Sequence, residues 1–150
     1  MNINHEKFMS EAINEARNAQ ANNEVPIGAV IVDNGKIIAR GFNSVISKSD
    51  PSSHAEISAI RKACEIKQNY RLPSCELYVT LEPCIMCLGA IFHARIKGLY
   101  FGAYDEKFGS CSKHQNLVNN KIINHHTFIQ GGILEIECQK VLRVFFKDKR

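Results

Sequence analysis

The sequence predicts one α/β domain of three layers, an α-β-α sandwich with a mixed five-stranded sheet, and three observations carry that expectation. The chain opens on apolar residues at helical spacing. A strand follows, then an Asn-Gly turn signal and a second strand, the pattern of an antiparallel hairpin. Beyond the hairpin, helix and strand alternate, and strand–helix–strand order favours parallel pairing through right-handed crossovers. A hairpin joined to such crossovers makes the sheet mixed.

Each element has its own local reason. Phe8, Ala12, Ala16 and Ala19 recur at helical spacing with Met9 and Ile13 beside them, which predicts a first helix over about residues 6–22. Residues 26–32 read as a buried strand. Asp33-Asn34-Gly35 is the hairpin signal, and residues 36–43 return as the partner strand. Asp50-Pro51-Ser52-Ser53 precedes a second helix over about residues 54–66. A strand over 76–81, a helix over 83–94 and a strand over 97–102 follow. Residues 103–124 are polar and weakly patterned. Residues 126–130 supply the last strand, and Gly131-Gly132 leads into a terminal helix on which Ile133, Ile136, Val141, Val144 and Phe145 gather towards one side.

The composition is that of a folded domain. The 150 residues suffice to bury a core without disulfides, and 45% hydrophobic with 23% charged residues excludes a disordered chain. No repeat or linker divides the chain, so residues 1–150 are expected to form a single domain. The longest apolar stretch, residues 25–32, is far too short to cross a membrane. The opening residues carry no apolar signal segment, and a cytoplasmic protein is expected. Its six cysteines should then stay reduced. Cys84 and Cys87 are spaced as a pair; Cys64, Cys75, Cys111 and Cys138 read as small buried apolar residues. A net charge of +4 permits a polyanionic partner without demonstrating one.

Two fragments carry chemistry: His54-Ala55-Glu56 and Pro83-Cys84-Ile85-Met86-Cys87. Both lie at expected helix starts. Cysteines three apart project from one helix face and can bind one ion. A helix N-terminus stabilises the thiolate, which is the form that binds zinc. The same positive end should keep the His54 imidazole neutral, with a lone pair to donate. One imidazole and two thiolates make three ligands. Structural zinc sites usually have four, whereas catalytic ones have three and hold a water whose pKa falls to about 7. Glu56, two residues after His54, is placed to take a proton from that water without binding the metal. Each fragment has a plainer reading. Ser53 and Glu56 fit a capping box, and a lone Cys-x-x-Cys can be redox-active or structural. The conjunction of the two fragments favours catalytic zinc, in the His-x-Glu and Pro-Cys-x-x-Cys pattern of the zinc deaminases.

The chain resembles the bacterial tRNA-specific adenosine deaminases well beyond that motif. The likeness runs through Glu24-Val25-Pro26-Ile27-Gly28-Ala29-Val30, Asp50-Pro51, His54-Ala55-Glu56-Ile57 and Asn69-Tyr70-Arg71-Leu72. It continues in Leu77-Tyr78-Val79-Thr80-Leu81-Glu82-Pro83-Cys84-Ile85-Met86-Cys87, Phe101-Gly102-Ala103 and Gly132-Ile133-Leu134. The resemblance implies a cytidine-deaminase-like fold, one zinc per subunit, a homodimer, and hydrolysis of the wobble adenosine in a tRNA anticodon stem-loop to inosine. It assigns zinc to His54, Cys84 and Cys87 and proton transfer to Glu56. It puts Asn43 on the flipped nucleoside, Ile27 beside the base, Asp105 on the RNA backbone and Phe146 near the anticodon. The plainer roles are a turn residue for Asn43, core for Ile27 and a solvated loop acid for Asp105. Arg143, Lys147, Lys149 and Arg150 can pair with phosphates, although basic residues at a helix C-terminus also suit its dipole. Residues 108–124, with Cys111, Lys113 and His114, follow the family only loosely. Two rivals stay open: a deaminase of free guanine, cytosine or nucleotides, and a non-catalytic zinc module whose fourth ligand would be His93 or Cys111.

Overall fold

The computed structural model describes residues 4–111 and 125–149. Among them, in chain order, lie α1 (His5–Ala21), β1 (Gly28–Asp33), β2 (Lys36–Phe42), α2 (Ala55–Lys67) and β3 (Cys75–Leu81). Then come α3 (Ile85–His93), β4 (Gly98–Ala103), β5 (Phe128–Gln130) and α4 (Glu135–Asp148). The strands form one sheet in the order β2-β1-β3-β4-β5. β1 is antiparallel to β2 and to β3, whereas β3, β4 and β5 run parallel.

Strand periodicity builds the three layers, because successive side chains point to opposite faces. Ala29, Ile31, Leu77, Val79, Leu99 and Phe101 pack against α2 and α3, through residues such as Ala59, Leu88 and Ile91. The alternate residues Val30, Val32, Tyr78 and Tyr100 pack on the other face, with Met9 and Ala12 of α1 and Cys138 of α4. α1 meets the sheet on alanines, and the approach is close. A Cβ at Gly28 would lie 2.1 Å from the Ala12 carbonyl oxygen, so no larger residue fits there. The hairpin turns through Asn34 and Gly35, at φ +53° and +79°, the left-handed pair that a two-residue turn demands.

Several boundaries differ from expectation. β1 starts at Gly28 because Pro26 has no N–H for the ladder and the Ile27 N–H turns back to the Val25 carbonyl at 2.8 Å. α3 starts at Ile85, leaving Cys84 as its N-cap residue. On α4 the apolar side is narrower than the sequence suggests. Ile133, Cys138 and Phe145 are buried, but Ile136 is 69% and Val144 45% exposed. Cys138 and Phe145, seven residues apart, define the inward stripe with Val141 half-buried between them; Ile136 stands about 200° around the helix from Cys138. Cys75 and Cys138 are buried, whereas Cys64 and Cys111 are only partly so, at the margin of the α2–α3 core. Residues 112–124, with Lys113 and His114, and Arg150 lie outside the described residues.

Candidate active site and metal centre

The carboxyl ends of β3 and β4 meet the start of β1 and the end of β2 at one end of the sheet. Leu81, Tyr104, Ile27 and Asn43 from these four ends line a cavity of about 750 Å³. Ligand crevices of open α/β sheets form at such strand ends. His54, Glu56 and Cys84 form part of its wall.

Two helix starts deliver the metal ligands. His54 is the N-cap residue of α2, Cys84 that of α3, and Cys87 follows one turn later. His54 Nδ1 lies 3.7 Å from Cys84 Sγ and 3.5 Å from Cys87 Sγ, and the three ligand atoms lie within 4.8 Å of one another. Zinc–ligand bonds of about 2.0–2.3 Å in a tetrahedron separate ligand atoms by about 3.5–3.8 Å. The donor set therefore fits zinc in both chemistry and spacing. Among the described residues the cluster has three members, and neither His93 nor Cys111 joins it. A three-ligand set is the open, catalytic type.

Charge in the cluster is unevenly shared. The Cys84 thiol is pulled down to about 4, chiefly because Cys87 donates to its sulfur, with His54 adding to the effect. The same hydrogen bond pushes Cys87 upward, and burial adds to it. One cysteine is thus a thiolate while the other keeps the proton. His54 departs from expectation: its pKa is raised, above all by the hydrogen bond to Cys84. The Cys84 sulfur and the Glu56 carboxyl act upward there, and burial acts against them. Zinc binding needs two thiolates and a neutral imidazole, so metal uptake must expel the protons the cluster holds, that of Cys87 above all. Zinc affinity of the metal-stripped protein should therefore climb from pH 6 to pH 8. Competition titration against a chelator, with proton release followed in parallel, measures this. A flat profile would contradict the shared-proton arrangement.

Glu56 is buried on the first turn of α2, and burial pushes its carboxyl up to about 7, with the Cys84 sulfur reinforcing the shift and a hydrogen bond from its own backbone N–H and His54 opposing it. The capping-box alternative is not formed. α2 is capped at His54 without a side-chain bond, and the Ser53 hydroxyl instead meets the Ser44 hydroxyl at 2.9 Å. Glu56 faces the cluster, where it hydrogen-bonds Cys87.

The other predicted residues converge on the same cavity. Asn43 is buried, its backbone N–H donating to the Ile27 carbonyl at 3.0 Å, and both side chains line the wall. Asp105 lies on the far side, its Oδ1 accepting from the backbone N–H groups of Lys107 and Phe108. Phe146 is 49% exposed at the rim, whereas Phe145, packed edge-on against it, is buried. Sequence reasoning did not single out Val25, Val45, Leu81, Glu82, Tyr104, Phe108 and Leu142, which line the cavity too. Tyr104 and Phe108, exposed aromatics flanking Asp105, carried a signal in their type and position. Val25, Val45 and Leu142 carried none, being indistinguishable from core residues in one dimension.

Residues 2–103 match the family described as the cytidine and deoxycytidylate deaminase zinc-binding region. With this fold and three-ligand cluster, the match defines the class: a zinc-dependent hydrolytic deaminase. A tRNA-specific adenosine deaminase of Haemophilus influenzae is 46% identical over 97% of this chain and 84% of its own length. A solved structure from a study of tRNA:A34 deaminases, which edit A to I at the wobble position, superposes with a TM-score of 0.88. That structure is 44% identical and the match covers 91% of this chain and 99% of that one. A guanine deaminase from Bacillus subtilis is 47% identical with a TM-score of 0.65, over 67% of this chain and 65% of its own. The chain belongs to the tRNA-specific adenosine deaminases, within the cytidine and deoxycytidylate deaminase family.

Proposed function

We propose that this protein hydrolyses the 6-amino group of the wobble adenosine in a tRNA anticodon stem-loop, releasing ammonia and leaving inosine. The observation that carries the reading is the single cavity on which the ligand cluster, the buried Glu56 carboxyl, Asn43, Ile27, Asp105 and the exposed ring of Phe146 converge. Identity of 46% over 97% of the chain to a tRNA-specific adenosine deaminase supports the RNA substrate, whereas a guanine deaminase is matched at similar identity over only 67% of this chain.

His54, Cys84 and Cys87 hold the metal. Bound there, zinc supplies a Lewis acid and a water acidified to near neutrality. Glu56 takes a proton from the attacking water as the bond to C6 forms and passes it to N1. It then takes the second proton from the new C6 hydroxyl and delivers it to the amino group, so that the C6–N bond breaks, ammonia leaves and the C6 carbonyl forms. A carboxyl titrating near 7 suits both acceptance and delivery at neutral pH. Asn43 hydrogen-bonds the extruded nucleoside, and Ile27 packs beside the base. Asp105 contacts the RNA backbone, and Phe146 offers a face on which a splayed anticodon base stacks. The active form is a homodimer in the cytoplasm. Ile85 and Met86, exposed apolar residues beside Cys84, suit a partner surface next to the site.

The reading is tested by incubating the protein with an anticodon stem-loop, free adenosine and guanine, followed by nucleoside analysis. Inosine from the stem-loop alone is the expected product; turnover of guanine alone would favour the free-base reading. Replacing Phe146, Lys147 and Lys149 by alanine should weaken RNA turnover by about 5- to 150-fold, the range of about 1–3 kcal/mol for one lost base stack. Zinc content should be unchanged. RNA affinity should fall as salt rises, with a slope of about −0.7 per neutralised phosphate. Full activity without salt dependence would remove α4 from the RNA interface.

A further inference from the structure

We propose that Glu24 and Glu82 are positioning residues, each a buried carboxylate clamping the backbone of one loop, and that together they hold the two walls of the cavity in the shape that accepts RNA. The mention of RNA rests on the reading above. Neither residue belongs to the ligand cluster. Glu24 stands before β1, fully buried, and Glu82 directly after β3, at 2% exposure. Their loops rise on opposite sides of the central β1–β3 pair, one following β2 and the other following β4.

Glu24 accepts from the backbone N–H groups of Ser47 at 2.8 Å and Ile46 at 3.2 Å. Residues 44–50 coil through bonds from Lys48 N to Ser44 O, Ser49 N to Ile46 O and Asp50 N to Val45 O. The first N–H groups of such a coil have no partner inside it. Glu24 supplies that partner from outside. It thereby fixes Val45, which lines the cavity, and the chain entering from Asn43.

Glu82 does the same across the cavity. Its Oε1 accepts from the Asp105 N–H at 3.1 Å and its Oε2 from the Cys111 N–H at 2.9 Å, so both ends of the 105–111 loop rest on one carboxylate. Ser110 adds a bond from its hydroxyl to the Pro83 carbonyl at 2.8 Å. A Cβ at Gly109 would come within 2.4 Å of Glu82 Oε1, so the loop lies directly against the carboxylate. This loop carries Asp105 and Phe108 to the cavity.

A buried carboxylate is costly unless donors take its oxygens. Here the donors are the loop amides, so the cost is offset only with each loop in its observed conformation. An apolar residue at either position would fill space without specifying the loop. Glutamine keeps the volume, but its amide group faces a backbone N–H, donor against donor, and one charge-assisted bond is lost.

The test uses the zinc-loaded full chain carrying Glu24→Gln or Glu82→Gln. Hydrogen exchange should accelerate about tenfold or more at residues 46 and 47 in the first variant, and at 105 and 111 in the second, as the loss of one such bond implies. KM for the anticodon stem-loop should rise about tenfold, with kcat falling less and zinc content unchanged. If a glutamine variant does not fold, Ser47→Pro deletes the shorter donor to Glu24, and Gly109→Ala drives the loop off Glu82; each should reproduce the KM effect. Unchanged exchange, an unchanged KM, or a KM rise that tracks zinc loss would overturn the proposal. If the unaltered protein turns over no stem-loop, the RNA reading fails by itself, and the exchange measurement still decides the clamps.

Discussion

Glu56→Gln should yield a folded, zinc-loaded protein that deaminates the stem-loop about 10²–10⁴ times more slowly, the usual contribution of a positioned acid–base group. The amide matches the carboxyl in shape but can neither take a proton from water nor deliver one. Zinc should stay, because Glu56 is not among the three clustered ligands. Folding should be unharmed for a second reason. The carboxyl is buried and pushed up to about 7, so a neutral side chain already suits the site. The helix end loses nothing either, since Glu56 makes no capping box. Metal analysis, thermal unfolding and single-turnover inosine formation on the same preparation give the answer. Near-normal turnover would end the proton-transfer role.

Cys84→Ala and Cys87→Ala should each take zinc from about one per chain to almost none, and activity should vanish with it. Two remaining ligands cannot complete the three-ligand set that a catalytic zinc needs. The fold should survive with a lower thermal midpoint. Its two cores, on either face of the sheet, are built largely from aliphatic and aromatic side chains that pack without the ion, although the ion would tie the starts of α2 and α3 together. Stripping the unaltered protein with a chelator should abolish turnover, and added zinc should restore it; the variants should not recover. Active protein found free of zinc would sink the assignment.

The two experiments probe features that differ in how far the sequence exposed them. The spacing of Cys84 and Cys87, with His54 and Glu56 two apart, is a local pattern. A helix turn brings Cys84 and Cys87 together, and the pairing of His-x-Glu with Pro-Cys-x-x-Cys, rather than helix geometry, joins His54 and Glu56 to them, so the ligand set was legible. The direction in which Glu56 points was not. Ser53-His54-Ala55-Glu56 is compatible with a capping box, and only the engagement of Ser53 by Ser44 and the burial of Glu56 against Cys87 exclude it. The upward direction of the His54 shift was hidden for a similar reason. The helix end is visible in sequence, but the Cys84 sulfur comes from a segment 30 residues away.

α4 shows where periodicity runs out. Ile136 and Val144 satisfy a helical apolar pattern, yet the helix lies on β4 along a narrower stripe of Cys138 and Phe145 with Val141 half-buried beside them. How much of an amphipathic face is covered depends on the width of the surface beneath it. No pattern within the helix records that. The loops behave likewise. Glu24 and Glu82 look like ordinary acids beside a strand, and their burial becomes apparent only when the amides of residues 46, 47, 105 and 111 close on them.

The sequence by itself determined the helices, the hairpin, the mixed sheet and the three metal ligands with their neighbouring acid. The elements follow from interactions among residues a few positions apart, namely apolar periodicity and the left-handed turn at Asn34-Gly35, and the ligands with their acid follow from two short motifs 30 residues apart. Only the tertiary structure decided how Glu56 is buried against the ligands, how wide the apolar face of α4 is, and which loops wall the cavity. Those outcomes depend on burial and on hydrogen bonds between distant segments, whose energies arise when the chain has closed around them.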